Sequence, residues 1–91
     1  MSGDFTDNTN QNRYEYKVGE SVAFANYHKK DDTLYIDYVE APPELRGTGA
    51  AGKLMDHIVE TARAGKMKIT PVCGYAAMWL TRHPEHDDLK A

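Results

Sequence analysis

The chain has 91 residues, of which 41% are hydrophobic and 27% charged, which is typical of one soluble globular domain. Its single cysteine excludes an internal disulfide, and its net charge of −3 is unlike the basic surface of an obligate nucleic-acid-binding protein. No apolar stretch is long enough for a transmembrane helix, and the N-terminus does not have the pattern of a signal peptide. We therefore predict a cytoplasmic protein that binds neither nucleic acid nor a membrane.

The first 13 residues, MSGDFTDNTNQNR, are almost all small or polar. Such a segment buries too little apolar surface to offset the entropy of ordering its backbone. We predict a disordered leader over residues 1–13 and a folded domain over residues 14–91.

From Tyr14 onwards hydrophobic residues alternate with polar ones, which is the period of a half-buried β-strand. Gly19-Glu20 has the composition of a two-residue hairpin turn, and a second strand begins near Val22. The cluster KKDD at residues 29–32 predicts the next turn, and TLYIDYVE at residues 33–40 predicts a third strand. The sequence thus predicts three antiparallel strands in a meander.

Prolines end the third strand, and the hydrophobic period then changes to that of an α-helix. Gly65 is a typical signal for the end of this helix. Residues 66–72 predict a fourth strand, which a connecting helix would place parallel to one of the first three. Residues 74–82 predict a short second helix, and the whole is an α+β fold. The helical stripe consists of Ala51, Leu54, Met55, Ile58, Val59 and Ala62.

The segment RGTGAAGK at residues 46–53 joins the third strand to the main helix. Backbone N–H groups at a helix N-terminus have no intrahelical partner, and the small residues let another molecule approach them. The segment has no acidic residue, although acids stabilise a first turn, and it carries cations at Arg46 and Lys53. This pattern favours an anion such as a pyrophosphate, with an ordinary glycine-rich connection as the alternative. No Walker motif is present, and the G-x-G-x-x-G spacing lacks the acid of a Rossmann site.

The string Arg46-x-x-Gly49-x-Ala51 matches the [Q/R]-x-x-G-x-[G/A] acyl-CoA loop of the GNAT acetyltransferase superfamily. Together with PPELRGTGAAGKLM, K-x-x-P-x-C and RHPEHDDL, it makes residues 14–89 similar to small single-domain GNAT-like proteins, which are known as predicted acetyltransferases. The resemblance implies a minimal GNAT core with acetyl-CoA as co-substrate. We expect no metal, because His83 and His86 with Asp87 match no standard metal-ligand spacing.

The resemblance also implies where acetyl-CoA binds. The pantetheine arm is expected on the strand before the loop, at Val39, Glu40 and Ala41. Cys73 is expected near the CoA sulfur. The pyrophosphate is expected on the loop and the helix N-terminus, at Arg46, Gly47, Thr48, Gly49, Ala50 and Ala51.

Three residues are candidates for catalysis. Cys73 opens the second helix, where the helix dipole favours a reactive thiolate, and its alternative role is that of a small buried side chain. Glu40 is a candidate general base acting through water, or simply a solvated carboxylate. Tyr38 is a candidate general acid for the CoA thiolate, although alternation along the strand places it with Leu34 and Ile36 in the core. Family members often carry a histidine where this chain has Tyr38, so a histidine base is not expected.

The sequence therefore predicts an N-acetyltransferase in which an amine attacks the thioester of acetyl-CoA. A backbone N–H at residues 39–41 would stabilise the oxyanion. Larger GNAT enzymes enclose their acceptor with extra N-terminal helices, and this chain has only a polar leader there. A protein or peptide amine is the expected acceptor. The alternatives are a CoA- or acyl-CoA-binding module without turnover, and an interaction domain that has lost the ligand.

Overall fold

The computed structural model describes residues 3–91, whose strands form one sheet in the order of the chain. The first four strands are antiparallel neighbours, and the fifth pairs in parallel with the fourth. The strands are β1 (Asp4–Asn8), β2 (Arg13–Val18), β3 (Ser21–Lys30), β4 (Thr33–Glu40) and β5 (Lys68–Pro71). The helices are α1 (Ala50–Ala64) and α2 (Gly74–Thr81), with 3₁₀ turns at Pro43–Leu45 and Pro84–Leu89.

The predicted meander is confirmed as β2, β3 and β4, and two tight turns fix its register. Gly19-Glu20 connects β2 to β3, and Gly19 has a φ of 62°, the left-handed conformation that a two-residue hairpin requires. Asp31 and Asp32 connect β3 to β4 with φ values of 51° and 61°. Aspartate adopts this conformation more readily than most side chains do. The charged cluster therefore forms a turn because its two aspartates accept a left-handed backbone.

The prediction of a disordered leader is wrong for the residues that the structure describes, and residues 1–2 lie outside them. Asp4–Asn8 form the edge strand β1, which pairs with β2 over its whole length. Phe5 stacks on Tyr14 and His57, with ring centroids 5.6 and 4.8 Å apart. The polar segment is ordered because β2 supplies its hydrogen bonds and α1 supplies an aromatic contact.

The buried side chains of the sheet share one face, and α1 and α2 cover that face. Cross-strand partners such as Tyr14 and Ala25 point to the same side and enter one core with both helices. Helix α1 contributes the predicted stripe of buried side chains with one difference. Ala50 is buried where the prediction had Ala51, and Ala51 is half-buried. Each large apolar side chain buried there contributes about 1.5–3 kcal/mol. The sheet residues of the core are Tyr14, Tyr16, Ala23, Ala25, Tyr27, Leu34, Ile36 and Ile69.

A β-bulge in β4 exchanges the two faces of this strand near its end. The strand pairs with β3 without interruption up to Ile36 and again from Tyr38, so that Asp37 is an extra residue. Beyond the bulge Val39 packs against the core, whereas Tyr38 lies on the helix-free face and is 46% exposed. The prediction that Tyr38 lies in the core is therefore wrong. One extra residue in a strand moves every following side chain to the opposite face of the sheet.

The second half of the chain follows the predicted order of elements with shorter bounds. Gly65 caps α1 as expected, but Lys66, with a φ of 57°, is the residue that turns the chain. Strand β5 is parallel to β4, as a connecting helix requires, and it ends at Pro71, which has no N–H to continue the ladder. Among the described residues no helix combines the length and apolar character needed to cross a bilayer.

Candidate functional site

Strands β4 and β5 separate halfway along β4. Their pairing ends where Ile36 meets Pro71, and β4 continues to Glu40. The N–H groups of Val72 and Cys73 both donate to the carbonyl of Ile36, at 2.9 and 3.0 Å, and then the chain turns into α2. The last four residues of β4 thus present a strand edge without a β5 partner in the described part of the chain. Such an edge can pair with an extended ligand.

The loop after β4 is held in shape by its own backbone. A 3₁₀ turn at Pro43–Leu45 follows the strand, and the N–H of Thr48 donates to the carbonyl of Leu45 at 3.2 Å. Gly47 and Gly49 have φ values of 80° and 82°. A Cβ atom at either glycine would meet no other atom within 4 Å. These glycines are therefore required for backbone conformation, and the space above them is open to a ligand.

Helix α1 begins at this loop with Gly49 as its N-cap. The first N–H groups of a helix have no partner within it. Thr48 Oγ1 accepts a hydrogen bond from the N–H of Ala50 at 3.3 Å and donates one to Leu45, so Thr48 serves the loop itself. The next amides, those of Ala51 and Gly52, stand at the positive end of the helix dipole and suit an anion.

Two adjoining cavities connect the strand edge to the loop. The first, of about 310 Å³, lies at the end of β4, and the second, of about 390 Å³, lies over the glycines. Arg46 lines both and donates from Nε to the carbonyl of Ala41 at 3.3 Å. Tyr75 also lines both cavities and was not among the predicted site residues. Its position two residues after Cys73, at the start of α2, is the one feature of the sequence that could have indicated it. The residues common to the two cavities are Ala41, Arg46, Ala51 and Tyr75.

Tyr38 and Glu40 form a hydrogen-bonded pair in the first cavity. Both side chains lie on the face of β4 without helices, and the Tyr38 hydroxyl donates to Glu40 Oε1 at 2.5 Å. This hydrogen bond and the carboxylate charge raise the pKa of Tyr38, and the nearby Arg46 opposes the shift. Tyr38 therefore stays protonated above neutral pH and can donate a proton, while Glu40 is placed to accept one.

Cys73 lies beside this pair. It is the N-cap of α2 and is half-buried against the core, and its N–H donates to the carbonyl of Ile36 on the strand that carries Tyr38. The negative charge of a Cys73 thiolate would raise the pKa of the Tyr38 hydroxyl. The structure thus brings together the three residues that the sequence analysis named as catalytic candidates. Cys73 as a whole is partly exposed.

The histidines near the C-terminus pack against Trp79. The ring of His83 stacks on Trp79 with centroids 3.8 Å apart, and its Nδ1 lies 2.7 Å from the Trp79 carbonyl oxygen. Across residues 3–91, no cluster of three or more His, Cys, Asp or Glu side chains is arranged to hold a metal ion. His83 and His86 follow α2 and pack against its Trp79.

Residues 13–89 match the family model of the GCN5-related N-acetyl-transferases. The chain belongs to this family. The GNAT superfamily expected from the loop is thereby confirmed, whereas membership of the small single-domain group stays a prediction. The family assigns the chain to the acetyl-transfer proteins and implies acetyl-CoA as co-substrate.

A solved structure shows the same fold as this GNAT chain. It is the NMR solution structure of a GCN5-like protein from Staphylococcus aureus, at 24% sequence identity and a TM-score of 0.77. The alignment covers 97% of this chain and 87% of the other. No curated protein matches the sequence. The structural similarity confirms the predicted α+β architecture, with five strands where the sequence analysis expected four.

Proposed function

We propose that this GNAT protein transfers the acetyl group of acetyl-CoA to an amine. The observation that carries the proposal is the Tyr38–Glu40 pair, which lies where β4 leaves β5, next to a loop suited to a pyrophosphate. A proton donor, a proton acceptor and an anion site thus line one continuous cleft.

The open edge of β4 would bind the pantetheine arm of acetyl-CoA. Its amide groups would hydrogen-bond to the backbone at Val39, Glu40 and Ala41, as a fifth strand would if it continued. The pyrophosphate would lie over Gly47 and Gly49, with the amides of α1 as donors. In this position the thioester reaches the cavity that holds Tyr38.

The chemistry follows from the positions of the two side chains. The neutral amine attacks the thioester carbonyl, a C–N bond forms, and a backbone N–H at residues 39–41 stabilises the oxyanion. Glu40 accepts the amine proton, directly or through water. The C–S bond then breaks, and Tyr38 gives its proton to the CoA thiolate. Glu40 returns a proton to Tyr38 across their 2.5 Å hydrogen bond, so the proton balance closes.

The acceptor we propose is the amine of a protein or peptide. The first cavity is shallow, and Tyr38, which lines it, is 46% exposed. A small amine would make few contacts there, whereas a peptide would cover the rim.

Release of the CoA thiol in the presence of acetyl-CoA and different amines tests this function. We expect turnover with lysine-containing peptides and little with single small amines. Efficient turnover of one small amine and none of peptides would contradict the proposed acceptor. Binding of acetyl-CoA without turnover of any amine would instead support a CoA-binding module.

Replacement of Cys73 by Ser should lower turnover by less than about tenfold, because in direct transfer the thiol only contacts the CoA sulfur. Serine nearly preserves the side-chain volume and is a much weaker nucleophile. Alkylation of Cys73 in the native protein should slow when CoA is bound, which mass spectrometry measures. A thousandfold loss of turnover in Cys73→Ser, with the fold and the acetyl-CoA affinity intact, would show an acyl-cysteine intermediate and overturn direct transfer.

A further inference from the structure

The bulge in β4 places two consecutive side chains on the bare face, which is the side of the sheet without helices. In a regular strand neighbouring side chains point to opposite faces. Tyr38 lies on the bare face, and the Asp37 carboxylate reaches the same face, where its Oδ2 lies 2.8 Å from Nδ1 of His28. Bulges often re-aim a side chain next to an active site. Asp37 thus stands beside the proposed acid but does not line the cleft that holds it.

The bare face already contains one complete arrangement that holds an arginine, and the protein supplies all of its parts. The guanidinium carbon of Arg13 lies 4.5 Å from the centroid of the Phe24 ring. Its Nη1 lies 3.6 Å from Oε2 of Glu15. A flat ring below and a carboxylate beside it are the two groups that suit a guanidinium. This surface of the sheet can therefore hold a cation of that shape.

His28 and Asp37 form a second pair of a flat ring and a carboxylate on the same face. The imidazole stacks on Tyr35 with centroids 4.5 Å apart and an interplanar angle of 5°, which fixes the plane of the ring. The side chains of His28 and Asp37 are 53% and 38% exposed. Within residues 3–91, no lysine or arginine forms an ion pair with Asp37. A neutral imidazole leaves this carboxylate with its negative charge and with free acceptor positions.

We propose that His28 and Asp37 form a cation subsite, which binds a basic side chain of the acceptor peptide two residues away from the lysine that is acetylated. The inference rests on the proposed function, because it names the residue type that accompanies the acceptor amine. An arginine fits best, since its guanidinium can stack on the imidazole and donate hydrogen bonds to the carboxylate at the same time.

The spacing of the sheet determines the position of this basic residue in the peptide. Tyr38 is opposite Asn26, and Tyr35 is opposite His28, so the reaction site and the cation subsite lie in neighbouring rows of the bare face. Two residues of β3 separate these rows, a distance of about 7 Å. An extended peptide presents every second side chain on one side at the same interval. A peptide whose lysine reaches Tyr38 therefore brings the residue two positions away to Asp37.

Steady-state kinetics with four peptides tests the cation subsite. Each peptide has a blocked N-terminus and one acceptor lysine, and its other residues are uncharged except at the tested position. The first has Ala two residues from the lysine, the second has Arg two residues before it, and the third has Arg two residues after it. The fourth has Glu at the position that favours Arg. One of the two arginine peptides should have a kcat/KM about fivefold higher than that of the alanine peptide, the effect of one partly exposed ion pair. The glutamate peptide should have a lower value than the alanine peptide, because like charges repel.

Asp37→Asn removes the charge of the subsite and preserves its shape and its hydrogen bond with His28. In this variant the kcat/KM of the arginine peptide should fall to that of the alanine peptide. The ratio of the two values within one variant does not depend on the fraction of the protein that is folded. Asp4→Asn is the matched control, because Asp4 is an exposed carboxylate on the bare face but lies in β1, three strands or about 14 Å away from β4. It should retain the preference for arginine.

Calorimetric titration of the same peptides in the presence of CoA separates this inference from the proposed function. If the native protein acetylates the arginine and alanine peptides equally well, or if Asp37→Asn retains the preference, the cation subsite is wrong and the function stands. If no peptide is acetylated but one arginine peptide binds more tightly in the native protein than in Asp37→Asn, the proposed function fails and the subsite stands as a peptide-binding site. If the peptides are neither acetylated nor distinguished in binding, both proposals fail.

Discussion

Replacement of Gly49 by Asp should abolish CoA binding and leave α1 intact. Gly49 is the N-cap of α1, and a side chain there projects into open space over the loop. A carboxylate would then stand where the pyrophosphate is expected. Two like charges 4 Å apart near a protein surface repel by about 4 kcal/mol, which corresponds to a loss of affinity on the order of a thousandfold.

The same substitution should cost the fold little. Asp tolerates the φ of 82° better than most residues, at a cost of about 1 kcal/mol. Its charge interacts favourably with the positive end of the helix dipole, which offsets part of that cost. Binding and stability therefore respond differently, which a general loss of structure would not produce.

Gly49→Asn provides the matched control. Asn has the same shape and the same tolerance for the left-handed conformation, but it carries no charge. Calorimetric titration should show at most about a tenfold loss of CoA affinity in this variant, with thermal unfolding measured for both. Equal losses in the two variants would assign the effect to shape. Unchanged affinity in both would contradict the assignment of the loop as an anion site.

Replacement of Tyr38 by Phe should lower kcat by about a hundredfold, the usual contribution of one general acid. The variant removes only the hydroxyl that donates to Glu40, and the ring stays on the exposed face. The affinity for acetyl-CoA should therefore remain within about twofold. Tyr35→Phe is the control, because Tyr35 lies on the same face of β4 but stacks on His28 away from the pair. Similar kcat values for the native protein and Tyr38→Phe would exclude Tyr38 as the acid.

The pH dependence gives a second test of this pair. In the native protein Glu40 raises the pKa of Tyr38, so the acid remains protonated to higher pH. In Glu40→Gln the carboxylate charge is absent, and the pKa of Tyr38 should fall back towards its ordinary value. The alkaline limb of the kcat profile should then move to lower pH. A shift to higher pH would contradict the coupling.

Sequence patterns predicted the elements of the fold that neighbouring residues determine. The turns at Gly19-Glu20 and residues 29–32 follow from residues that accept a left-handed backbone. The stripe of α1 follows from the helical period, and the shape of the loop before it follows from Gly47 and Gly49, which have positive φ values. In each case the signal lies within a few neighbouring residues.

The features that sequence analysis missed depend on distant partners. Strand β1 is stabilised by β2 and by the contact of Phe5 with His57, neither of which its own composition reveals. The bulge at Asp37 leaves the alternation of residue types in β4 unchanged, so the exposed position of Tyr38 was not visible. Tyr75 reaches the cleft only through the packing of α2 on the sheet.

The one-sided covering of the sheet has a kinetic consequence. The loop that would hold the pyrophosphate belongs to the face that carries the helices, whereas Tyr38 and Glu40 lie on the bare face. In the proposed reaction the cofactor therefore reaches through the gap between β4 and β5, and the amine arrives from the opposite side. Neither substrate blocks the entrance of the other. We therefore expect both substrates to occupy the protein together before transfer, as steady-state kinetics with intersecting double-reciprocal plots would show.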